Sequence, residues 1–258
     1  MLQWKLFTVD LARKAGALLK EKFNQKHEIH YKGEINLVTE ADKMSEDLII
    51  AAISQSFPDH GILSEESPAI SGAGKLRWII DPLDGTTNYA HGYPVFCVSI
   101  ALEKDGEVIL GVIYDPMREE MFVSVRGEGA YLNDKKLAVS HIDNISKSLL
   151  ATGFPYDIRE SKENNLDYFN AMAINVQAIR RAGAAALDLA HLAAGRFDGF
   201  WELKLKPWDT AAGGLMVTEA GGVISDIAGD KWGLQSPSLL ASNGLIHEQM
   251  IKVLSLKF

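Results

Sequence analysis

The sequence predicts a layered α/β fold, and three observations support this prediction. Helical apolar periodicity runs through the N-terminal segment, short strand-like runs fill residues 76–140, and strand-like and helical pieces alternate from about residue 146. The chain has 258 residues, of which 47% are hydrophobic and 23% charged, so it can bury a substantial core. We expect two closely packed halves, residues 1–145 and 146–258, with no long linker between them.

Two amphipathic helices are predicted in the N-terminal segment, over residues 3–23 and about 41–56. Thr39 or Glu40 lies near the start of the second helix, and Pro58 follows its end. The apolar positions are Leu2, Leu6, Val9, Ala12, Leu18, Leu19 and Phe23 in the first helix, and Met44, Leu48, Ile49, Ala52 and Ile53 in the second.

The middle of the chain is typical of a strand meander, with short apolar runs separated by Gly, Pro and Asp. These runs are Trp78–Ile80, Val95–Leu102, Val108–Tyr114 and Met121–Val125, and a separate short strand, Gly61–Ser64, precedes them. Further strands are predicted at Leu149–Thr152, Phe197–Glu202, Gly222–Ser225 and Leu239–Ala241, and they alternate with helices at about 162–174, 183–194, 208–220 and 244–256.

Charge and cysteine usage exclude several classes of protein. A formal net charge of -8 argues against non-specific nucleic-acid binding, which depends on basic side chains, whereas clustered carboxylates would suit a site for hard cations. The single cysteine, Cys97, cannot form an internal disulfide, which indicates a reducing compartment. The N-terminus does not resemble a signal peptide, and no apolar run reaches the length of a membrane span, so we expect a cytoplasmic protein without a membrane partner.

The segment Trp78–Asn88 carries the most informative pattern. An apolar strand runs into Asp81 and Asp84, and Pro82 limits the freedom of the turn between them, so both carboxylates and the Leu83 carbonyl can point at one volume. Such oxygen ligands suit Mg²⁺. The following Gly85 and Thr86 can open a helix whose first amides face an anion. Taken alone, the segment is explained more simply by a strand end, an Asp turn and a helix cap.

Three further acids lie near the ends of predicted elements. Asp42 starts the second helix, Glu65 follows a short strand, and Asp209 precedes an alanine-rich helix. Each has an ordinary structural interpretation, as a first-turn acid, as one of a solvated pair with Glu66, and as a helix cap. Together with Asp81 and Asp84, they indicate a shared metal site.

Residues 81–88 and 208–222 resemble the two signatures of the inositol monophosphatases. Five other segments follow in the family's order: Val38–Asp42, Ser64–Glu66, Tyr114–Pro116, Gly127–Ala130 and Arg181–Ala190. The resemblance implies a layered αβαβα sandwich of the inositol monophosphatase and fructose-1,6-bisphosphatase type. It also implies a homodimer that hydrolyses small phosphate monoesters with Mg²⁺ and is sensitive to lithium.

The resemblance implies two or three Mg²⁺ ions, for which Mn²⁺ could substitute. Glu65, Asp81 and the Leu83 carbonyl would hold the first ion, Asp81, Asp84 and Asp209 the second, and Glu65 would also bear on a third. The metals would activate a water for in-line attack on phosphorus without a phosphoenzyme. The catalytic residues would be Asp42, Glu65 and Thr86, with Asp42 and Thr86 orienting and deprotonating the water.

The implied substrate contacts combine metal-site residues with three positions farther along the chain. These contacts are Glu65, Leu83, Asp84, Gly85, Thr86, Arg180, Ala185, Glu202 and Asp209. Two of the assignments have alternatives, because Glu202 could be a strand-end acid facing Lys204, and Arg180 or Arg181 could serve a subunit contact. Ala184 stands where many relatives place Ser or Thr, which removes a hydroxyl from this turn.

The favoured substrate is myo-inositol 1-phosphate, a small phosphorylated polyol. The alternatives are a fructose-1,6-bisphosphatase or a broad sugar or nucleotide phosphatase. A bisphosphate substrate would need a second cationic pocket. Arg180, Arg181, Lys204 or Lys206 could form such a pocket. A hypothesis of a different class is a non-catalytic protein that binds a partner through the region of Trp201 and Trp208, although intact acidic residues weigh against it.

Overall fold

The computed structural model describes residues 1–23, 29–31 and 37–255. The helices are α1 (Leu2–Lys22), α2 (Glu40–Ser56), α3 (Thr86–Ala90), α4 (Leu166–Ala173), α5 (Ala185–Ala193), α6 (Pro207–Glu219) and α7 (His247–Leu254). The strands are β1 (Ile29–Tyr31), β2 (Leu37–Thr39), β3 (Gly61–Ser64), β4 (Leu76–Asp84), β5 (Cys97–Lys104), β6 (Glu107–Asp115), β7 (Glu120–Val125), β8 (Gly129–Leu132), β9 (Lys135–Lys136), β10 (Leu149–Thr152), β11 (Ala178–Arg180), β12 (Gly199–Leu203), β13 (Val223–Ser225) and β14 (Ser238–Ser242).

The elements stack in five layers, which confirms the αβαβα sandwich. Helices α1 and α2 cover the outer face of one sheet, α5 and α6 lie between the two sheets, and α4 and α7 cover the outer face of the second sheet. The four interfaces between the layers form three hydrophobic clusters, because the cluster around α5 and α6 packs against both sheets. The middle helices are rich in alanine and glycine, and these small side chains let two sheets approach the same helix pair.

The first sheet has the strand order β3-β4-β5-β6-β7-β8-β9. Strand β3 is parallel to β4, and every later pair in the sheet is antiparallel, as in the predicted meander. Side chains alternate between the two faces, so Trp78 and Ile80 pack towards α1 and α2 while Ile79 packs towards α5 and α6. Both faces of this sheet are therefore buried.

The second sheet has the strand order β11-β10-β12-β14-β13. Strand β10 is parallel to both β11 and β12, whereas β14 is antiparallel to its neighbours. Trp201 of β12 is fully buried, and its Nε1 donates a hydrogen bond of 2.7 Å to Asn165 Oδ1. The prediction that Trp201 contributes to a partner-binding surface is therefore wrong, because this indole belongs to the core.

The predicted helices and strands are found with small shifts at their ends. Helix α2 begins at Glu40 after Thr39 and ends before Pro58, as its sequence signals predict. The segment 162–174 is helical only from Leu166, and β11 was not predicted because its three residues carry no recognisable pattern. The boundary between halves near residue 145 remains a prediction.

Helix α1 buries only part of the predicted face, because Ala12, Leu19 and Phe23 lie in the core whereas other predicted positions do not. Leu2 and Leu6 are exposed, whereas Thr8, Leu11 and Ala15 face the core. The buried stripe runs at spacings of three and four residues from Thr8 to Leu19, and Leu2 and Leu6 fall off this stripe. Among residues 1–23, 29–31 and 37–255, every helix is too short or too polar to traverse a bilayer.

Candidate active site

A cavity of about 470 Å³ lies where the ends of β3 and β4 face the ends of β10 and β12. The first turns of α5 and α6 close it from the layer between the sheets. The residues that line it are Glu65, Asp81, Leu83, Asp84, Gly85, Thr86, Thr87, Thr152, Gly153, Phe154, Pro155, Tyr156, Asp157, Arg181, Gly183, Ala184, Ala185, Asp188, Glu202, Leu203, Lys204, Leu205, Lys206, Trp208 and Asp209.

An irregularity in β4 turns Asp81 and Asp84 to the same side of the sheet. Asp81 pairs with Ser99 and Asp84 with Cys97, so β4 advances three residues over the length in which β5 advances two. In a regular strand, residues three apart would face opposite sides, and the extra residue corrects this. The turn is held from behind, because Ser45 Oγ of α2 donates a 2.8 Å hydrogen bond to the Pro82 carbonyl.

Glu65 stands beside Asp81 because β3 and β4 are parallel. Ser64 pairs with Ile80, so the residues that follow in each strand emerge at the same edge. Asp81 is buried, and burial, followed by the charges of Glu65, Asp84 and Asp209, raises the pKa of its carboxyl well above the usual range. The four predicted carboxylates therefore act on one another across the cavity.

Asp84 joins the cavity to the helix layer. Its Oδ2 accepts hydrogen bonds from the Ala186 and Leu187 amides at 2.9 and 3.4 Å, which are the second and third residues of α5. The residue in the N-cap position of α5 is Ala184, which has no side-chain acceptor. Asp84 thus caps α5 from another strand. Burial raises the pKa of Asp84 to about 6, although these amide hydrogen bonds oppose the shift.

Asp209 reaches the cavity from the first turn of α6. Its Oδ2 accepts a 2.6 Å hydrogen bond from the Lys206 amide, so the predicted capping role is present. Burial raises the pKa of Asp209 to about 7. The capping bond and the position in the cavity wall are compatible, because a carboxylate has a second oxygen.

Thr86 and Asp42 form a hydrogen-bonded pair at the start of α3. Thr86 Oγ1 lies 3.0 Å from both Asp42 Oδ1 and the Leu83 carbonyl oxygen, either of which can accept its hydrogen. The other oxygen of Asp42 accepts bonds from the amide and hydroxyl of Thr39, at 2.8 and 2.6 Å. Burial raises the pKa of Asp42, and the Thr39 and Thr86 hydrogen bonds oppose this shift. Asp42 therefore both caps α2 and contacts the site.

Gly85 allows the chain to turn from β4 into α3. Its φ is +97°, and a Cβ atom there would lie 2.9 Å from the Val95 carbonyl oxygen. Asn88, which follows in the same segment, donates through Nδ2 to the carbonyls of Val95 and Ala182 at 2.7 and 2.8 Å. This side chain ties the β4–α3 segment to the turn before α5, a role that its sequence position did not suggest.

The more distant predicted contacts divide into two groups. Ala185 and Glu202 line the cavity, whereas Arg180 is exposed, does not line it, and donates through Nη1 to the Ile179 carbonyl. Arg181 lines the cavity instead. Arg180 ends β11, where consecutive side chains face opposite sides, so one step along the chain decides which arginine faces the cavity.

Two residues that the sequence did not single out lie near Glu202 in the cavity wall. Asp188 lines it from the first turn of α5, and Gly153 lines it at the end of β10. A Cβ atom on Gly153 would lie 2.2 and 2.3 Å from the two carboxyl oxygens of Glu202, so this glycine leaves the space that Glu202 occupies. The resemblance included Asp188 in the segment Arg181–Ala190, and this was the available signal.

The donor set fits a hard divalent cation. It consists of carboxylates and a backbone carbonyl, the ligands that Mg²⁺ and related ions prefer. Among the described residues, no three acidic, histidine or cysteine side chains are already gathered as tightly as a metal cage. The buried carboxylates nevertheless repel one another, and a cation between them would offset that repulsion.

Comparison with known proteins gives a consistent family result. The model of the inositol monophosphatase family matches residues 2–256. An inositol-1-monophosphatase of Mesorhizobium japonicum is 42% identical over 95% of this chain and 93% of its own length. The Nus factor SuhB of Vibrio cholerae is 43% identical over 90% of this chain and 88% of its own length. The structure of the inositol monophosphatase from Anabaena superposes with a TM-score of 0.90 at 42% identity, covering 98% of this chain and 95% of that one.

Proposed function

The chain belongs to the inositol monophosphatase family, a family of metal-dependent phosphatases, and we propose that it hydrolyses small polyol phosphate monoesters with Mg²⁺. The proposed substrate is myo-inositol 1-phosphate. The observation that carries the proposal is the convergence of Glu65, Asp81, Asp84 and Asp209 on one cavity beside the Thr86–Asp42 pair.

In this proposal the cavity has two ends. The phosphate end consists of Glu65, Asp81, Leu83, Gly85 and Thr86, and the alcohol end consists of Arg181, Ala185, Asp188 and Glu202. Asp84 and Asp209 lie between them. Bound Mg²⁺ would supply positive charge that neutralises the phosphate oxygens and acidifies the attacking water. Glu65, Asp81, Asp84, Asp209 and the Leu83 carbonyl would hold two or three such ions.

Thr86 and Asp42 would orient the attacking water and move its proton. Thr86 Oγ1 can direct its single hydrogen to Asp42 Oδ1 or to the Leu83 carbonyl, which leaves its lone pairs to accept a hydrogen bond from the water. Asp42 would then receive a proton through the threonine. Because burial raises the pKa of Asp42, the proton is better held there than on an exposed aspartate.

The charges at the alcohol end favour a neutral polyol over a second phosphate. Glu202 and Asp188 lie there, and their carboxyls, whose pKa values burial raises, supply no positive charge for the second phosphate of a bisphosphate substrate. Lys204, which could have offered a cationic pocket, donates to Asp157 Oδ2 and Ser161 Oγ at 2.7 and 2.8 Å. These contacts support inositol 1-phosphate ahead of fructose 1,6-bisphosphate or a nucleotide bisphosphate.

A phosphate-release assay tests the proposal. The purified chain is assayed with Mg²⁺ on inositol 1-phosphate, fructose 1,6-bisphosphate and adenosine 3',5'-bisphosphate, with and without EDTA and lithium. We expect the highest kcat/KM with inositol 1-phosphate, loss of activity with EDTA, and inhibition by lithium. A higher kcat/KM with either bisphosphate would contradict the substrate assignment, and activity that survives EDTA would contradict the metal assignment. Homodimer formation remains a prediction, for which sedimentation is the direct measurement.

A further inference from the structure

Asp188 is a buried acid whose hydrogen bonding is incomplete. It is 2% exposed and lines the cavity, and its Oδ1 has no hydrogen-bond partner among the described residues. Buried polar groups are generally hydrogen-bonded, because removing one from water without replacing its partner is unfavourable. An enclosed carboxyl oxygen without a partner, in the wall of a cavity, therefore points to a ligand that supplies a donor.

Capping of α5 does not explain Asp188. Its position in the first helical turn would suit an N-terminal acid, but the free amides of that turn, on Ala186 and Leu187, already donate to Asp84. The amide of Asp188 itself donates to the Ala184 carbonyl at 2.9 Å. The backbone groups around Asp188 are satisfied by other partners, so its carboxyl is left to face the cavity.

Glu202 forms the other half of the same surface. It is 8% exposed, and its carboxyl lies against Gly153 at the end of the neighbouring strand β10. Burial and then the charge of Glu202 raise the pKa of Asp188, ahead of the smaller effect of Asp84, so Glu202 is the closer acid in electrostatic terms. Arg181 opposes the shift. Two carboxyls and one guanidinium thus surround this part of the cavity.

We propose that Asp188 is a specificity-determining residue that, with Glu202, accepts hydrogen bonds from hydroxyl groups of the leaving alcohol. This inference rests on the proposed phosphatase function and adds a residue to it. Carboxyl oxygens accept hydrogen bonds from hydroxyl donors, and two carboxyls side by side suit an alcohol with several hydroxyls. A leaving group with no hydroxyl besides the esterified oxygen would gain nothing from this surface and would leave the buried acceptors without partners.

The test compares two substrates that share a phosphate and differ in the alcohol. The leaving group of inositol 1-phosphate carries hydroxyls besides the esterified oxygen, and that of phenyl phosphate carries none. Asp188→Leu removes the acceptors at similar size, and Asp188→Asn keeps one acceptor oxygen. We expect Asp188→Leu to raise KM for inositol 1-phosphate about tenfold or more and KM for phenyl phosphate less than about twofold, with Asp188→Asn between the wild type and Asp188→Leu.

Asp198→Asn is the matched control. Asp198 is also buried, but it accepts bonds from Ser140 Oγ and the Leu149 amide at the other end of β12, outside the cavity. The Asp198→Asn variant should leave the ratio of kcat/KM for inositol 1-phosphate to kcat/KM for phenyl phosphate unchanged. Equal changes for both substrates in the Asp188 variants, or no change, would overturn the inference and leave the proposed function standing. A wild-type chain inactive on both substrates would overturn both. If Asp188→Leu does not fold, the Asp188→Asn variant provides the test. A rise in its KM for inositol 1-phosphate without a rise for phenyl phosphate would support the inference, and equal or absent changes would overturn it.

Discussion

The proposed phosphate end and the proposed alcohol end of the cavity both use carboxylates but are built differently. At the phosphate end, Asp81, Leu83, Gly85 and Thr86 come from one continuous segment, and its turn is held by hydrogen bonds within the segment and to α2. At the alcohol end, Asp188 and Glu202 come from a helix and a strand that are distant in sequence. The phosphate end is therefore specified locally, whereas the alcohol end depends on the packing of the second sheet.

The strongest test of this comparison is Asp84→Asn, because Asp84 serves both ends. The variant keeps an oxygen that can accept from the α5 amides, but it loses the charge proposed to hold a cation. We expect Mg²⁺-dependent phosphate release to fall by at least about a hundredfold while the melting temperature changes little.

Asp115→Asn is the control for the loss of a buried carboxylate. Asp115 is buried and accepts bonds from the Met117 and Arg118 amides, outside the cavity. It should reduce stability without a comparable loss of kcat. Full activity of Asp84→Asn would remove Asp84 from the metal site.

An effect on kcat alone, confined to the phosphate end, is expected from Thr86→Ala. In the proposed mechanism the hydroxyl orients the water and does not contact the alcohol, so kcat should fall about a hundredfold while KM stays within about twofold. Steady-state kinetics on inositol 1-phosphate measure both constants. Thr86→Ser retains the hydroxyl and should recover most of the activity. If the serine variant is as slow as the alanine variant, the hydroxyl is not the group that matters.

The smallest effect is expected at the alcohol end, from Gly153→Ala. The added methyl group would occupy the space of the Glu202 carboxyl, which can swing away because it ends a flexible side chain. We expect KM for inositol 1-phosphate to rise a few-fold, with kcat and KM for phenyl phosphate nearly unchanged. Gly233→Ala is the control, since a Cβ atom there would contact nothing within 4 Å. A rise in KM for both substrates would show that Gly153 acts on the phosphate end as well.

The phosphate end was predictable from the sequence because its residues are neighbours in the chain. The strand, the two acids, Pro82 and Gly85 stand in order. Asp42, Glu65 and Asp209 stood out as acids near the ends of elements, and the resemblance to a family gave each of them a role. The layered α/β fold also followed from the alternation of elements, and the resemblance to the family supplied the order of five layers. What made the two acids of β4 face one way was an irregular pairing with β5, which the sequence implied only through Pro82.

The alcohol end was less predictable because its geometry depends on strand pairing. Gly153 and Glu202 meet because β10 and β12 are parallel neighbours, and nothing in either strand indicates the pairing. The choice between Arg180 and Arg181 depends on where the short strand β11 ends. Local sequence gives neither the register nor the side of a sheet on which such a residue emerges.

The cap that Asp84 provides for α5 bears on how descendants of such a protein would change. A descendant that lost phosphate hydrolysis but survived in another role would still need a folded α5. Selection for folding would then preserve Asp84, because losing a helix cap costs about 0.5–2 kcal/mol. Asp42 would persist for the same reason at the start of α2. The hydrogen bonds of Thr86 to Asp42 and Leu83 cap no helix, so substitutions of Thr86 would be tolerated in such a descendant. Retention of the Thr86 hydroxyl is therefore a better indicator of preserved catalytic activity than retention of Asp84 or Asp42.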